Sequence, residues 1–165
     1  MEAFEKGQYQ ASISFTDALT QEGASKLSVL GAITVVASIF GQIITHLHRS
    51  HDDNDPDDPI NGGLWKRHRQ LDKLLSSITE YLPDHLKLPA GDQDPNIPFL
   101  NVALHAAVIC LHQAAILKAE THQLETALIE ESVNRCFHAA EEIHDITKMT
   151  SLPMSRVSFL QQSGR

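Results

Sequence analysis

Residues 27–47 read LSVLGAITVVASIFGQIITHL, and no Asp, Glu, Lys or Arg occurs along that stretch. As a helix rising about 1.5 Å per residue, the stretch would extend roughly 30 Å, which is the thickness of a bilayer's hydrocarbon core. It is therefore either a membrane-spanning helix or the core helix of a soluble domain. The choice between these two interpretations decides the fold class.

A second uncharged stretch favours the core helix. Residues 98–117 read PFLNVALHAAVICLHQAAIL, and their Asn, Gln and His side chains would be costly in hydrocarbon without partners. The first stretch has no Trp or Tyr at either end, where a membrane interface would lie. We therefore predict a core helix that begins at an N-cap, Ser25, and ends near Arg49. A membrane span over residues 27–47 remains the alternative. The small and polar residues of the stretch form one stripe, which suits helix packing in either setting: Ser28, Gly31, Thr34, Ser38, Gln42 and Thr45.

Three more helices are predicted after a loop at residues 50–63, which is dense in Asp, Pro and Gly. The first covers residues 64–82 and has a clear apolar face. The second begins at an N-cap, Asn96, and runs to about Thr121, with Pro98 in its first turn. The third covers residues 126–150 and is ended by Pro153. The predicted apolar face of residues 64–82 contains Leu64, Trp65, His68, Leu71, Leu74, Leu75, Ile78, Tyr81 and Leu82. The predicted stripe of the last helix contains Leu128, Ile129, Val133, Cys136, Phe137, Ala140, Ile143 and Ile146.

The fold class predicted from these patterns is all-α, with four principal helices and long connecting loops. No segment of useful length alternates as a strand would. The domain organisation predicted from the same patterns is a loosely ordered lead-in at residues 1–24, a helical domain at 25–151 and a disordered tail at 152–165.

Charge and cysteine content narrow the function classes. The net charge is −8 and the pI is about 5.6, whereas proteins that bind nucleic acid by neutralising phosphates need a basic surface. We therefore expect no direct nucleic-acid binding. The two cysteines, Cys110 and Cys136, have no motif spacing, which favours a reducing compartment over a disulfide scaffold. The N-terminal residues lack the basic and apolar regions of a secretory signal.

The ten histidines invite a metal-site interpretation, but the spacings do not support one. His46, His48 and His51 precede a run of aspartates, and we interpret them as a fraying helix end. The aspartates at 53, 55 and 57 alternate as in an EF-hand, but the Gly and Glu that a calcium loop needs at its sixth and twelfth positions are missing. His105 and His112 are seven residues apart, too far for the i, i+4 pair that binds zinc.

Two His-Asp dipeptides, His51-Asp52 and His144-Asp145, also occur in metal-dependent all-helical hydrolases, which are the second alternative function. His144-Asp145 lies beside two glutamates and is typical of a solvated face. We find no phosphate-binding loop and no nucleophile motif. We therefore expect no catalytic, cofactor or metal residues and no enzymatic activity. Three residues are candidates for buried polar or ligand-lining groups: Gln42, His105 and His112.

Six segments, in one order, resemble a known family. They are EGASKLSVLGA, ITHLHR, LWKRHRQLD, YLPDHLKLPAG, DPNIPFLNVALHAAVICLHQAAILKAE and ESVNRCFHAAEEI. Together they resemble the fungal-specific transcription factor domain, which is the middle homology region of fungal zinc-cluster regulators. The resemblance runs from about Thr16 to Ser151.

The resemblance implies a nuclear, all-helical regulatory domain that modulates transcription and responds to metabolites or partners. It implies no catalytic residue. The DNA-binding cluster of such regulators needs six cysteines around two zinc ions, and this sequence has two cysteines. Bound zinc and direct DNA binding are therefore not expected. In the family, further helices follow the position of residue 151, so the chain is expected to be a truncated domain. Apolar helix faces would then be partly uncovered, and we expect self-association or protein partners through them.

Overall fold

The computed structural model describes residues 20–49, 62–89 and 94–162. Within these ranges the chain is helical and has no strand, which confirms the all-α prediction and the four principal helices. The helices are α1 (Gln21–Ala24), α2 (Val29–Arg49), α3 (Gly63–Tyr81), α4 (Asn96–Thr121) and α5 (Thr126–Gln162), with a single 3-10 turn at Asp84–Leu86.

Helix α4 is the central helix of the fold, because it packs against α2, α3 and α5. The core lies among these helices, and its largest fully buried side chains are Ile39, Ile43, Leu75, Leu86, Leu100 and Leu111. A smaller apolar cluster joins the start of α3 to the end of α4 through Leu64, Trp65, Ala115 and Ala119. Alanine at two of these four positions leaves room for the helix backbones to approach each other closely.

Helix α2 begins at Val29, so the predicted N-cap at Ser25 is wrong. The hydroxyl Oγ of Ser28 accepts a hydrogen bond from the N–H of Gly31 at 3.2 Å and supplies the cap. Before it, α1 adds one helical turn whose Ala24 is buried in the core. That burial orders residues 20–24, which were predicted as part of a loose lead-in; residues 1–19 lie outside the described residues.

Two other helix ends differ from prediction. The carboxylate of Asp94 accepts the N–H of Asn96 at 2.9 Å, so Asn96 is the first helical residue and not the cap. Helix α5 continues through Pro153 to Gln162, so its predicted end at Pro153 is wrong, and the predicted tail is helical as far as Gln162. A proline removes one N–H donor from a helix but leaves the residues after it free to keep helical angles.

The buried faces follow the predicted periodicity in α2 and α3. In α2, Val36, Ile39 and Ile43 face the core, while the stripe of small and polar residues faces outward. In α3, the predicted apolar face is buried or half-buried throughout.

The face of α5 was predicted less well. Of the predicted stripe, Phe137 and Ala140 are exposed, Ile146 is buried and the other five residues are half-buried. Ser132 and Ala139, which were not predicted on this face, are buried. The two buried residues outside the predicted stripe, Ser132 and Ala139, have small side chains, and the large Phe137 faces outward.

Two helices are long and apolar enough to cross a membrane, by length and composition: Val29–His48 and Asn96–Thr121. One third of the tested window of each is buried inside the fold, 33% in both cases. Core helices of soluble proteins have the same length and composition.

The turn between α4 and α5 is a Schellman motif. The N–H of Leu124 bonds the carbonyl of Ala119 at 2.9 Å, and the N–H of Gln123 bonds that of Glu120 at 3.2 Å. Gln123 has a φ of 51°, the left-handed conformation that glycine adopts without steric cost. The motif sets the antiparallel course of α5 along α4.

We predict that Gln123→Gly stabilises the fold by about 1 kcal/mol, because it relieves the left-handed conformation at this one residue. The matched control is Gln113→Gly, the same replacement in the interior of α4, which is expected to destabilise by about 1 kcal/mol. Urea unfolding monitored by circular dichroism measures both. If both variants raised or both lowered the free energy of unfolding, the assignment of the turn would be contradicted.

Candidate functional site

All four principal helices meet at a buried group of imidazole rings, here called the histidine cluster: His46 of α2, His68 of α3 and His112 of α4. The ring centroids of His46 and His68 are 6.5 Å apart, and those of His68 and His112 are 5.1 Å apart in an edge-to-face arrangement. Trp65 packs edge-on against His68 at 5.5 Å. Each of the three histidines is more than nine-tenths buried.

Helix periodicity explains why each ring is buried. His46 follows Ile39 and Ile43 at steps of seven and three, so it continues the core face of α2 toward its C-terminal end. His68 occupies the apolar face of α3, one turn after the buried Leu64. His112 lies beside Leu111 at the middle of α4, where α3 and α5 both approach.

His112 is held on both sides of its ring. Nε2 lies 3.2 Å from Oδ1 of Asp72 on α3, and Nδ1 lies 3.3 Å from Oγ of Ser132 on α5. A carboxylate only accepts, so Nε2 carries a proton; in the neutral ring, Nδ1 then accepts the hydroxyl hydrogen of Ser132. The ring therefore links three helices by hydrogen bonds.

Asp72 is the polar centre of this network. The same oxygen Oδ1 also accepts from Nη2 of Arg135, and that Nη2 lies 3.2 Å from Oγ of Ser76. The hydrogen bond from His112 and the bonds and charge of Arg135 lower the pKa of Asp72 to about 2, against the opposing effect of burial. Asp72 is therefore ionised at neutral pH, and its charge has cationic and hydrogen-bonding partners.

The other two rings of the cluster resist protonation. Burial, and then the neighbouring His112, lower the pKa of His68 to about 4. Burial, and then the charge of Arg67, lower the pKa of His46. His46 and His68 are thus uncharged at neutral pH, and the Asp72–Arg135 ion pair lies at the His112 end of the cluster.

The network contains a carboxylate, an imidazole and a hydroxyl linked in the order found in the catalytic triad of serine hydrolases: Asp72, His112 and Ser132. Ser132 and His112 are only 4% and 3% exposed, however, so a substrate carbonyl has no access to the hydroxyl. The arrangement acts as a structural connection between α3, α4 and α5. Among the described residues, no group of three or more His, Cys, Asp or Glu side chains is placed to hold a metal ion.

An open groove lies beside the cluster, between α2 and α3, with a volume of about 820 Å³. It is lined by Ser38, Gly41, Gln42, Thr45, His46, Arg67, Gln70, Leu71, Lys73, Leu74 and Ser77. The outward-facing small residues of α2 form one wall, and His46 is the point at which the groove meets the histidine cluster.

The three candidate residues predicted from the sequence lie in three different surroundings. His112 is the centre of the buried network, and Gln42 is exposed along the groove. His105 is half-buried on α4, where burial lowers its pKa while Glu142 partly offsets that effect. The structure therefore does not bring the three together at one site.

Sequence reasoning missed most of the network. His46 was interpreted as part of a fraying helix end, which is wrong, because it lies on the core face set by Ile39 and Ile43. The i, i+4, i+7 spacing of Ile39, Ile43 and His46 was the available signal. Arg135 is not part of the predicted apolar stripe of α5, and its contact with Asp72 of α3 has no signal in the sequence. His144-Asp145 is exposed, as predicted, whereas His51, Asp52 and the aspartate loop lie outside the described residues.

Comparison with known proteins gives no relative: no family model, no curated protein and no solved structure matches this chain.

Proposed function

We propose that this chain is a regulatory helical domain of the fungal zinc-cluster transcription factor type, which modulates transcription by RNA polymerase II in the nucleus. It acts without catalytic residues and without a cofactor of its own. The six cysteines of a DNA-binding zinc cluster are not among these 165 residues, so contact with DNA would have to come from elsewhere.

One observation supports the proposal: four of the six segments that resemble the family meet at the histidine cluster and its hydrogen-bond network. ITHLHR contributes His46, LWKRHRQLD contributes His68 and Asp72, and the long segment of α4 contributes His112. ESVNRCFHAAEEI contributes Ser132 and Arg135. Segments far apart in the chain thus build one interior, as the shared pattern of a folded domain requires.

A reporter assay tests the proposal. Residues 1–165 are fused to an unrelated DNA-binding domain in a fungal host, and expression from its target promoter is compared with that of the DNA-binding domain alone. A regulatory domain changes the expression, and Asp72→Asn, which disturbs the interior network, reduces the change. Glu141→Gln, an exposed replacement on α5, is the matched control and keeps it. Expression equal to that of the DNA-binding domain alone would overturn the proposal.

The membrane-span alternative is favoured by one observation, the length and apolar composition of α2 and α4. Carbonate extraction of a fungal membrane fraction separates the two functions. A spanning helix keeps the chain in the pellet, whereas a nuclear regulatory domain is released or is absent from the fraction.

The partner proposed for this domain is protein, including a second copy, rather than nucleic acid or lipid. An apolar groove of about 270 Å³ lies between α2 and α4 and is lined by Ile33, Val36, Ala37, Phe40, Phe99, Leu100 and Ala103. At its edge Phe99 is 60% exposed, which is unusual for so large an apolar side chain.

We predict that the chain self-associates at micromolar concentration and that Phe99→Gln weakens the association constant about tenfold, because the apolar area of one ring is no longer buried. Sedimentation velocity measures it. Leu117→Gln, also an exposed apolar residue of α4 but outside the groove, is the control. A parent chain that is monomeric at these concentrations would contradict the prediction.

A further inference from the structure

The groove between α2 and α3 has the features of a ligand site. Its volume of about 820 Å³ is that of small-molecule sites in proteins, which range over roughly 300–1,000 Å³. Leu71 and Leu74 supply an apolar floor, while Gln42, Gln70 and Ser38 supply hydrogen-bonding groups along the walls.

His46 is the second observation, and it is independent of the groove's size. The residue lines the groove, is only 6% exposed, and its Nδ1 has no hydrogen-bond partner within the described parts of the chain. A buried polar atom without a partner is costly, typically about 1–3 kcal/mol, and proteins rarely keep one. A ligand in the groove would supply the missing bond.

The lining selects the charge of the ligand. It contains two cations, Arg67 and Lys73, and no carboxylate, in a chain whose net charge is −8. Gly41 keeps the middle of the groove open: a Cβ atom built there meets nothing within 4 Å, so packing against the protein does not require glycine.

We propose that this groove binds a small organic carboxylate with an apolar body, whose carboxylate pairs with Lys73, whose body lies on Leu71 and Leu74, and which hydrogen-bonds Nδ1 of His46. Binding itself goes beyond the proposed function. Control of transcription by such a ligand rests on that function.

Three probes test the binding. Benzoate carries the charge and the apolar body, benzamide has the same shape without the charge, and inorganic phosphate has the charge alone. In titrations of the isotope-labelled chain followed by NMR at constant salt, we expect benzoate to bind in the millimolar range and to shift the His46 ring and the Gly41 amide. Benzamide and phosphate should each bind at least about tenfold more weakly, because each lacks one of the two interactions.

Two variants locate the site. Gly41→Leu places a side chain in the groove from α2 and is expected to abolish benzoate binding, and the melting temperature checks that the fold is kept; a Cβ atom at this position meets nothing within 4 Å. Lys73→Gln is expected to weaken binding about tenfold, whereas Lys66→Gln, an exposed lysine of the same helix outside the lining, leaves it unchanged. If Gly41→Leu does not fold, the comparison of benzoate binding by Lys73→Gln and by Lys66→Gln still tests the location of the site.

Three results would overturn the proposal: no benzoate binding, binding that neither variant changes, or phosphate binding as tight as benzoate. None of these experiments measures transcription. A failed titration therefore leaves the reporter test of the proposed function intact, and a failed reporter test leaves the binding site intact.

Discussion

Lowering the pH from 7 to about 4 is expected to destabilise the fold by about 3 kcal/mol through His68 alone. Burial and then His112 lower the pKa of this ring from 6.5 to about 4 in the folded chain. Between these two values the unfolded chain binds a proton that the folded chain excludes. The stability is therefore complete above pH 6.5 and is lost as the pH falls toward 4.

His46 and His105 act in the same direction, because burial lowers the pKa of each in the folded state. The acid sensitivity of the whole domain should therefore exceed that of His68 alone. Mild acid, at which most surface carboxylates are still ionised, is expected to begin unfolding.

Urea unfolding at a series of pH values from 7.5 to 4.5 measures this effect. His68→Leu keeps the apolar packing, removes the titrating group and is expected to flatten the pH dependence by the amount assigned to His68. His144→Gln, an exposed histidine of α5, is the matched control and keeps the parent's pH dependence. A His68→Leu variant as acid-sensitive as the parent would assign the effect to other groups.

Asp72→Asn is expected to destabilise the fold by about 2 kcal/mol at pH 7, because His112 and Arg135 both lose a charged acceptor. The side chains of Asp72 and Arg135 are 32% and 40% exposed, so water screens part of the loss, and the value lies below that of a fully buried ion pair. The contribution of the ionised carboxylate is present above pH 3.8 and is lost as the pH falls toward about 2.

Asp145→Asn, which removes an exposed carboxylate from α5, is the control and is expected to change stability by less than about 0.5 kcal/mol. A double-mutant cycle of Asp72→Asn with Arg135→Met isolates the direct coupling of the two side chains. If Asp72→Asn cost no more than Asp145→Asn, the hydrogen-bond network would have no role in stability.

Much of the fold could be predicted because each long helix carries its own pattern. The spacing of Leu64, Leu71 and Leu75 is enough to define the buried face of α3, and the uncharged stretches at residues 27–47 and 98–117 are enough to indicate two long apolar helices. The helix ends could be predicted less well from the local sequence. Ser25 and Ser28 are both good caps, and only the packing of Ala24 and Leu27 into the core decides between them.

The site could not be predicted, for a different reason. His46, His68 and His112 are separated by 22 and 44 residues, so their contact depends on how three helices dock and not on any local spacing. Asp72 and Arg135 look like ordinary surface charges on their own helices. They become partners only because α3 and α5 both pack on α4, which no local pattern of either helix shows.

The central place of α4 has a consequence for how the domain comes apart. Helices α2, α3 and α5 each pack on α4, and the residues of its core face are buried: Leu100, Leu104, Ala107, Leu111, Ala115 and Ala119. Loss of any one neighbouring helix exposes part of α4 to solvent and weakens the packing of the other two helices on it. The helices should therefore be lost together, in one cooperative transition, and local opening should be confined to segments that do not touch α4.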